Sequence, residues 1–240
     1  MLGLAILTRP PASFCRCRTD RTARGKALVV AVSLLLAATP VAASARSIPA
    51  RKTEKPRVLI VGDSVFSMLL VADEALAELN DIIPVIYRGQ PCQKLLTQGC
   101  IPETKLSAIQ QFRNARGEFT DAVVVATGYN ENRPDALQES LREFRKEAKK
   151  QRVKLIWATY RVAGNVKGKA TDFNSQLRRA AKRDENLALF DWDKVSGKRP
   201  SWFSGDKVHL SRGGTTNLAR QLGKFLRRTL ATTASTTAQG

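Results

Sequence analysis

Short apolar runs alternate with amphipathic segments between residues 57 and 230. Five short, largely apolar runs predict strands at 58–61, 83–87, 121–126, 153–159 and 187–190. Apolar residues that recur at spacings of three and four predict helices over about 69–79, 103–116, 134–150, 171–183 and 214–228. This alternation predicts one α/β domain at 57–230, with a mostly parallel five-stranded sheet between two layers of helices.

The two ends of the chain lack this alternation. Basic residues precede an apolar run at 27–38, and the small-residue sequence Ala43-Ser44-Ala45 follows, which predicts a secretory signal peptide at 1–45. The apolar run is shorter than the roughly 20 residues of a membrane-spanning helix, which disfavours the alternative of a retained N-terminal membrane anchor. Residues 46–56 are predicted to be a basic linker, and the Thr- and Ala-rich tail at 231–240 to be disordered.

The chain is strongly basic, with a formal net charge of +19. Residues 1–45 hold six basic residues and one acidic residue, so the remainder holds 34 basic and 20 acidic residues and carries +14. Such an excess favours polyanionic partners. The basic residues at 145–152, 178–183 and 220–228 have few aromatic residues between them, which disfavours a stacking surface for nucleic acid. We expect anionic envelope polymers or a membrane surface as neighbours, and no specific nucleic acid.

Four cysteines fall into two pairs. Cys15 and Cys17 lie in the predicted signal peptide, whereas Cys92 and Cys100 lie in a loop-like stretch of the domain. In an oxidising compartment, Cys92 and Cys100 are expected to form a disulfide, and two isolated thiols are the alternative. No histidine or further cysteine is near enough in sequence to complete a zinc site, so neither a metal nor a cofactor is predicted.

The first predicted strand ends in Gly62-Asp63-Ser64, and an amphipathic helix follows. Ligands of open α/β sheets bind outside the carboxyl ends of the strands, which is where Ser64 is expected to lie. The first turn of a helix carries partial positive charge, which suits a nucleophile whose reaction develops an oxyanion. Serine is also a common helix cap, so capping is the alternative role of Ser64.

His209 is the only histidine of the chain, so any mechanism that pairs a serine with a histidine must use it. It follows Asp206 by three residues, after the fifth predicted strand and before the last helix. An aspartate at this spacing can fold back in a tight turn and accept the Nδ1–H of the imidazole, which leaves Nε2 free to take a proton from a serine. A hydrogen-bonded surface histidine is the alternative.

Three motifs, each at the end of a predicted strand, occur together in one order. Gly62-Asp63-Ser64, Gly128-Tyr129-Asn130 and Asp206-Lys207-Val208-His209 resemble the three sequence blocks of the SGNH, or GDSL-like, hydrolase family. The resemblance spans about residues 57–228, and it implies the flavodoxin-like three-layer fold of that family. By this resemblance Ser64 is the nucleophile, His209 is the general base and Asp206 orients the imidazole.

The resemblance also implies three donors for an oxyanion. These are the backbone N–H of Ser64, the backbone N–H of Gly89 and the side-chain amide of Asn130. Gly89 is assigned only because a glycine follows the second strand, and Gln90 or the cysteine loop is the alternative. Asn130 is also a common turn residue, and Glu131 stands where the family often has aspartate.

Together these features predict a secreted or periplasmic serine hydrolase that cleaves an acyl ester by way of an acyl-enzyme. Acyl groups on envelope carbohydrate are the first candidate substrate, by analogy with the family. An O-acyltransferase with the same three residues is one alternative, because a sugar hydroxyl can replace water as the acceptor. A non-catalytic envelope-binding module on the same fold is the other.

Overall fold

A single sheet organises the part of the chain that the computed structural model describes, which is the backbone of residues 57–237 and the side chains of residues 57–231. The strands are β1 (Val58–Gly62), β2 (Val85–Tyr87), β3 (Ala122–Ala126), β4 (Lys154–Ala158) and β5 (Leu187–Phe190). They lie in the order β2-β1-β3-β4-β5, and every pairing is parallel. The predicted α/β class with a five-stranded sheet is therefore confirmed.

Helices cover both faces of the sheet. They are α1 (Met68–Val71), α2 (Asp73–Ile82), α3 (Ala108–Asn114), α4 (Ala136–Gln151), α5 (Lys167–Ala181), α6 (Trp192–Ser196) and α7 (Arg212–Thr237). Val58 and Ile60 of β1 pack with α1, α2, α6 and α7, whereas Leu59 and Val61 pack with α3, α4 and α5. All four side chains are fully buried, which explains why the strand is an unbroken apolar run.

The strand order places one crevice at the carboxyl edge of the sheet. The chain crosses from β1 to β2 on one side and returns to β3 on the other, so the order reverses between β1 and β3. Loops at such a reversal separate, and the gap between them is the usual ligand site of this class of sheet. The loop after β1 carries Ser64, and the loop after β3 carries Asn130.

Local chemistry moves several helix boundaries from their predicted places. The predicted first helix is divided at Ala72, whose φ of −108° and ψ of 82° are not helical. The predicted second helix begins only at Ala108, because Ser107 and Gln110 form a reciprocal capping box there.

The last helix begins at Arg212, so Gly213 and Gly214 lie in its first turn. Ser211 caps it by accepting the Gly214 N–H at 3.1 Å. A Cβ at Gly214 would lie 1.8 Å from the carbonyl oxygen of Trp202, which explains why glycine stands at this close approach. The helix continues to Thr237 and so overlaps the predicted disordered tail, since no proline or glycine interrupts residues 231–237.

The ends of the chain lie beyond these boundaries. The predicted signal peptide at 1–45, the predicted linker at 46–56 and residues 238–240 of the tail lie outside the described residues. Among the helices that are described, none combines the length and the apolar character needed to cross a membrane.

Candidate active site

Ser64, His209 and Asp206 come together at the carboxyl edge of the sheet. The hydroxyl Oγ of Ser64 lies 2.8 Å from Nε2 of His209, although the two residues are 145 positions apart. On the other side of the ring, Nδ1 of His209 lies 2.5 Å from Oδ2 of Asp206. With Nδ1 protonated, His209 donates to Asp206 and accepts from Ser64, which is the arrangement that a general base requires.

The carboxylate of Asp206 stabilises the turn that runs from Asp206 to His209. Oδ1 of Asp206 accepts the backbone N–H groups of Val208 at 2.9 Å and His209 at 3.0 Å. Lys207 takes a left-handed conformation, with φ of 66°, to close this turn. Partial burial alone would raise the pKa of Asp206, but the hydrogen bonds from the His209 ring and the two N–H groups outweigh it and lower the pKa well below its usual range.

Arg161, which the sequence did not single out, fastens this turn to the domain. Its guanidinium donates to the carbonyl of Lys207 at 2.8 Å and to the carbonyl of Ser196 at 2.7 Å. It also lies 3.8 Å from the ring centroid of Phe203, which forms a bridge with Leu210 just beyond His209. These contacts anchor the turn that carries His209 to the body of the domain.

Ser64 does not cap α1, because that helix begins at Met68. Its side chain is directed to His209 instead, and its backbone N–H has no hydrogen-bond partner among the described residues. Asn130 lines the same pocket, where its Nδ2 donates to the carbonyl of Gln93 at 3.1 Å. An amide nitrogen carries two hydrogens, so one remains for a substrate oxygen.

Gly89 follows β2 and lies beside the end of β1, since the next residue, Gln90, donates its N–H to the carbonyl of Gly62 at 3.1 Å. A Cβ at Gly89 would lie 2.4 Å from the same carbonyl oxygen. Gly89 is not among the described residues that line the pocket of Ser64. The close approach explains the glycine by packing, and the assignment of its N–H as an oxyanion donor stays a prediction.

The loop that carries the two cysteines supports Asn130. The structure pairs Cys92 with Cys100, with 5.4 Å between their Cα atoms, which is within the usual range of a disulfide. Gln93, the next residue, offers its carbonyl both to Asn130 and to the hydroxyl of Thr127, at 3.1 and 2.7 Å. The paired cysteines therefore restrain the loop against which the Asn130 amide is oriented.

Lys169 supports the Asn130 loop from α5. Its ammonium donates to the carbonyls of Tyr129 at 2.7 Å and Glu131 at 2.6 Å, one on each side of Asn130. The sequence did not indicate this role, because a lysine bonded to backbone carbonyls leaves no motif.

The pocket has a volume of about 380 Å³ and is lined by Ser64, Val65, Tyr129, Asn130, Asn165, Val166, Lys169, Asp206, Val208 and His209.

Asp63, the middle residue of the first motif, joins two of the site loops. It is fully buried, and its carboxylate accepts the backbone N–H groups of Val65 at 3.1 Å and Gly128 at 3.3 Å. Burial raises the pKa of Asp63 to about 6, although these hydrogen bonds oppose the rise. Asp63 thus couples the loop of Ser64 to the loop of Asn130.

We expect Asp63 to make stability depend on pH. Because its folded pKa lies above its unfolded value of about 3.9, its stabilising contribution is complete below pH 4 and is lost as pH rises through 6. Between pH 4 and pH 7 the free energy of unfolding of the wild type should fall by on the order of 3 kcal/mol relative to that of Asp63→Asn, which has no titrating group at this position. Urea unfolding of wild type and Asp63→Asn from pH 4 to 7 measures this, and equal pH dependence in both chains would contradict it.

A metal ion is another ligand that a polar site can hold. Within the described residues, no group of three or more histidine, cysteine, aspartate or glutamate side chains is placed to hold a metal ion. The polar groups of the pocket are instead bonded to one another and to backbone carbonyls.

Comparison with known proteins places the fold. A scan against protein-family models gives no match, and a search of curated proteins gives no significant match. The C-terminal catalytic domain of peptidoglycan O-acetyltransferase A from Streptococcus pneumoniae is a similar solved structure, with 20% identity and a TM-score of 0.54. That match covers 75% of this chain and 94% of the other.

Two further solved structures extend the likeness. The psychrotrophic esterase EstA from Pseudoalteromonas matches over 73% of this chain and 98% of its own, with 16% identity and a TM-score of 0.54. A GDSL-like lipase from Bacteroides thetaiotaomicron matches over 77% of this chain and 89% of its own, with 15% identity and a TM-score of 0.51. At these identities the likeness concerns the fold, and it agrees with the family that the three motifs resemble.

Proposed function

We propose that this chain, whose fold is that of the SGNH hydrolases, is a serine hydrolase that cleaves acyl esters. The observation that supports this most directly is the hydrogen-bonded series Ser64, His209 and Asp206, with distances of 2.8 and 2.5 Å. The series opens into a pocket that also contains the Asn130 amide. An uncommitted N–H at Ser64 and an amide hydrogen at Asn130 are the donors that an oxyanion requires.

The geometry supports a two-step reaction. Oγ of Ser64 attacks the ester carbonyl while Nε2 of His209 takes its proton, and the carbonyl oxygen becomes an oxyanion between the Ser64 N–H and the Asn130 amide. The tetrahedral intermediate then expels the alcohol, which receives the proton from His209. Water attacks the acyl-enzyme with His209 again as the base, which releases the acid and restores Ser64. Asp206 stays ionised and stabilises the imidazolium in both steps.

The pocket favours a short acyl group on a polar alcohol. Its volume of about 380 Å³ is at the lower end of the range for ligand sites. Asn165 and Lys169 line it beside Ser64 and His209, and polar side chains of this kind suit a polar alcohol. Acyl esters of envelope carbohydrate fit this description. The predicted signal peptide and the pairing of Cys92 with Cys100 support a site of action after export.

O-acyl transfer is the second candidate, because one similar structure is the catalytic domain of a peptidoglycan O-acetyltransferase. The two reactions share every step up to the acyl-enzyme and differ only in whether water or a sugar hydroxyl attacks it.

Product analysis with p-nitrophenyl esters of two to twelve carbons, and with an acetylated glycan, tests the proposal. We expect turnover to be highest with the acetyl ester and to yield free acid. If added chitooligosaccharide diverts most of the acyl group to an O-acyl sugar, the chain is a transferase. If no ester is cleaved and a fluorophosphonate does not label the protein, the chain is the non-catalytic module instead.

A further inference from the structure

A groove lined by four arginines lies between α4 and α5. It shares no lining residue with the pocket of Ser64. It has a volume of about 590 Å³. One wall carries Arg142 and Arg145 of α4, and the other carries Arg179 of α5 and Arg183 just beyond it. Leu141 and Ala180 contribute apolar surface between the two walls.

Three of the four arginines of the groove differ from most other arginines of the domain, and Arg145, which pairs with Asp184, is the exception. Elsewhere a carboxylate lies within 4 Å of the guanidinium, at Arg57, Arg88, Arg113, Arg116, Arg133, Arg178, Arg212 and Arg220. In the groove the guanidinium groups of Arg142 and Arg183 have no hydrogen-bond or ion-pair partner within residues 57–231. Arg179 donates only to the hydroxyl of Ser175.

The single carboxylate that lines the groove is already committed. Asp184 accepts from Nε of Arg145 at 2.6 Å, and the same guanidinium donates to the carbonyl of Ala180. Arg145 thus bridges the two walls, and Asp184 neutralises its charge. The charges of Arg142, Arg179 and Arg183 have no such carboxylate partner among the residues that line the groove. Clustered like charges without counter-charges repel one another, and they raise the local concentration of anions.

Helix stabilisation accounts for only part of this pattern. Arg179 lies in the last turn of α5, where a cation compensates the partial negative charge of the helix end. Arg142 is the seventh residue of the sixteen in α4 and has no such role. Lysine would suffice for solubility, whereas the planar fork of arginine bonds phosphate groups with two hydrogens at once.

We propose that this groove binds a linear phosphate-bearing polymer that has no nucleobases. Charges on two facing walls suit an extended chain that lies between them, whereas a flat membrane surface needs charges on one outward face. The residues that line the groove include no aromatic side chain on which a base could stack. The proposal does not depend on the esterase activity, because none of these residues lines the pocket of Ser64.

Binding of full-length chain to long-chain inorganic polyphosphate tests the groove. We expect the double variant Arg142→Gln with Arg183→Gln to raise the Kd about tenfold or more. The slope of log K against log salt should decrease in magnitude by about 1.4, since each phosphate contact to a single strand contributes about 0.7. Both side chains are exposed, so the variants should keep the wild-type melting temperature, and the two single variants should show intermediate Kd values.

The control removes the same charge elsewhere. Lys224→Gln with Arg227→Gln changes two exposed residues of α7, and it should leave the Kd within about twofold of wild type. Equal weakening in the groove and control variants would overturn the proposal, because the attraction would then follow net charge alone. Binding to vesicles of anionic lipid should not respond to the groove substitutions, and a loss there as large as with polyphosphate would overturn the assignment to a polymer.

Discussion

Replacing Ser64 by alanine should lower ester turnover by roughly 10⁶-fold, to the level set by the remaining donors and by substrate binding. The reason is that no other described hydroxyl lies at hydrogen-bond distance from Nε2 of His209. His209→Ala should cost about as much. Because the two residues act as one unit, the double variant should be scarcely slower than either single variant. Turnover of p-nitrophenyl acetate measures this effect.

Ser175→Ala is the matched control, since that serine lies on α5 and is not part of the site pocket. It should keep wild-type turnover and labelling by a fluorophosphonate, whereas Ser64→Ala should lose both. Turnover in Ser64→Ala within tenfold of wild type would exclude Ser64 as the nucleophile.

Asp206→Asn should lower kcat/KM by about 10⁴-fold. Asparagine can still accept the N–H groups of Val208 and His209, so the turn should keep its shape. Its amide NH₂ then faces Nδ1 of His209, and the imidazole must carry its proton on Nε2 to accept from it. The ring can then no longer take a proton from Ser64, although the site remains assembled.

A pH series separates this role from a structural one. The folded pKa of Asp206 lies below its usual range, so its stabilising contribution is present above about pH 4 and is lost as pH falls through the folded value. Wild type should therefore lose stability relative to Asp206→Asn on acidification, while near neutral pH the two should differ far more in turnover than in melting temperature. A kcat/KM within tenfold of wild type would show that Asp206 does not orient the base.

The sheet could be predicted from the sequence because a parallel strand that is buried on both faces leaves an unbroken apolar run. The Asp206–His209 turn could be predicted as well, because its contacts lie within four residues. Pairing the turn with Ser64 required three motifs in one order, since no local pattern connects residues 145 positions apart.

Contacts to the backbone were invisible in the sequence. Asp63 accepts the N–H of Gly128, 65 residues away, and Arg161 donates to the carbonyl of Lys207, 46 residues away. A peptide group looks the same at every position, so a side chain that binds one leaves no signature in its partner. The division of the first helix at Ala72 was equally hidden, because both pieces keep the same apolar spacing.

The docking of α7 against α2 has a consequence for how the protein reaches its active form. Arg212 pairs with Glu74 and Arg220 with Glu78, so the last helix covers the face of β1 that the first helices begin to bury. Contacts between such distant segments make folding slow, as parallel sheets generally do. The segment that contains His209 directly precedes α7, so we expect that a chain in which α7 has not yet docked does not hold His209 against Ser64. Acquisition of ester turnover during refolding should therefore coincide with the slowest folding phase, and no turnover should be detectable until α7 is in place.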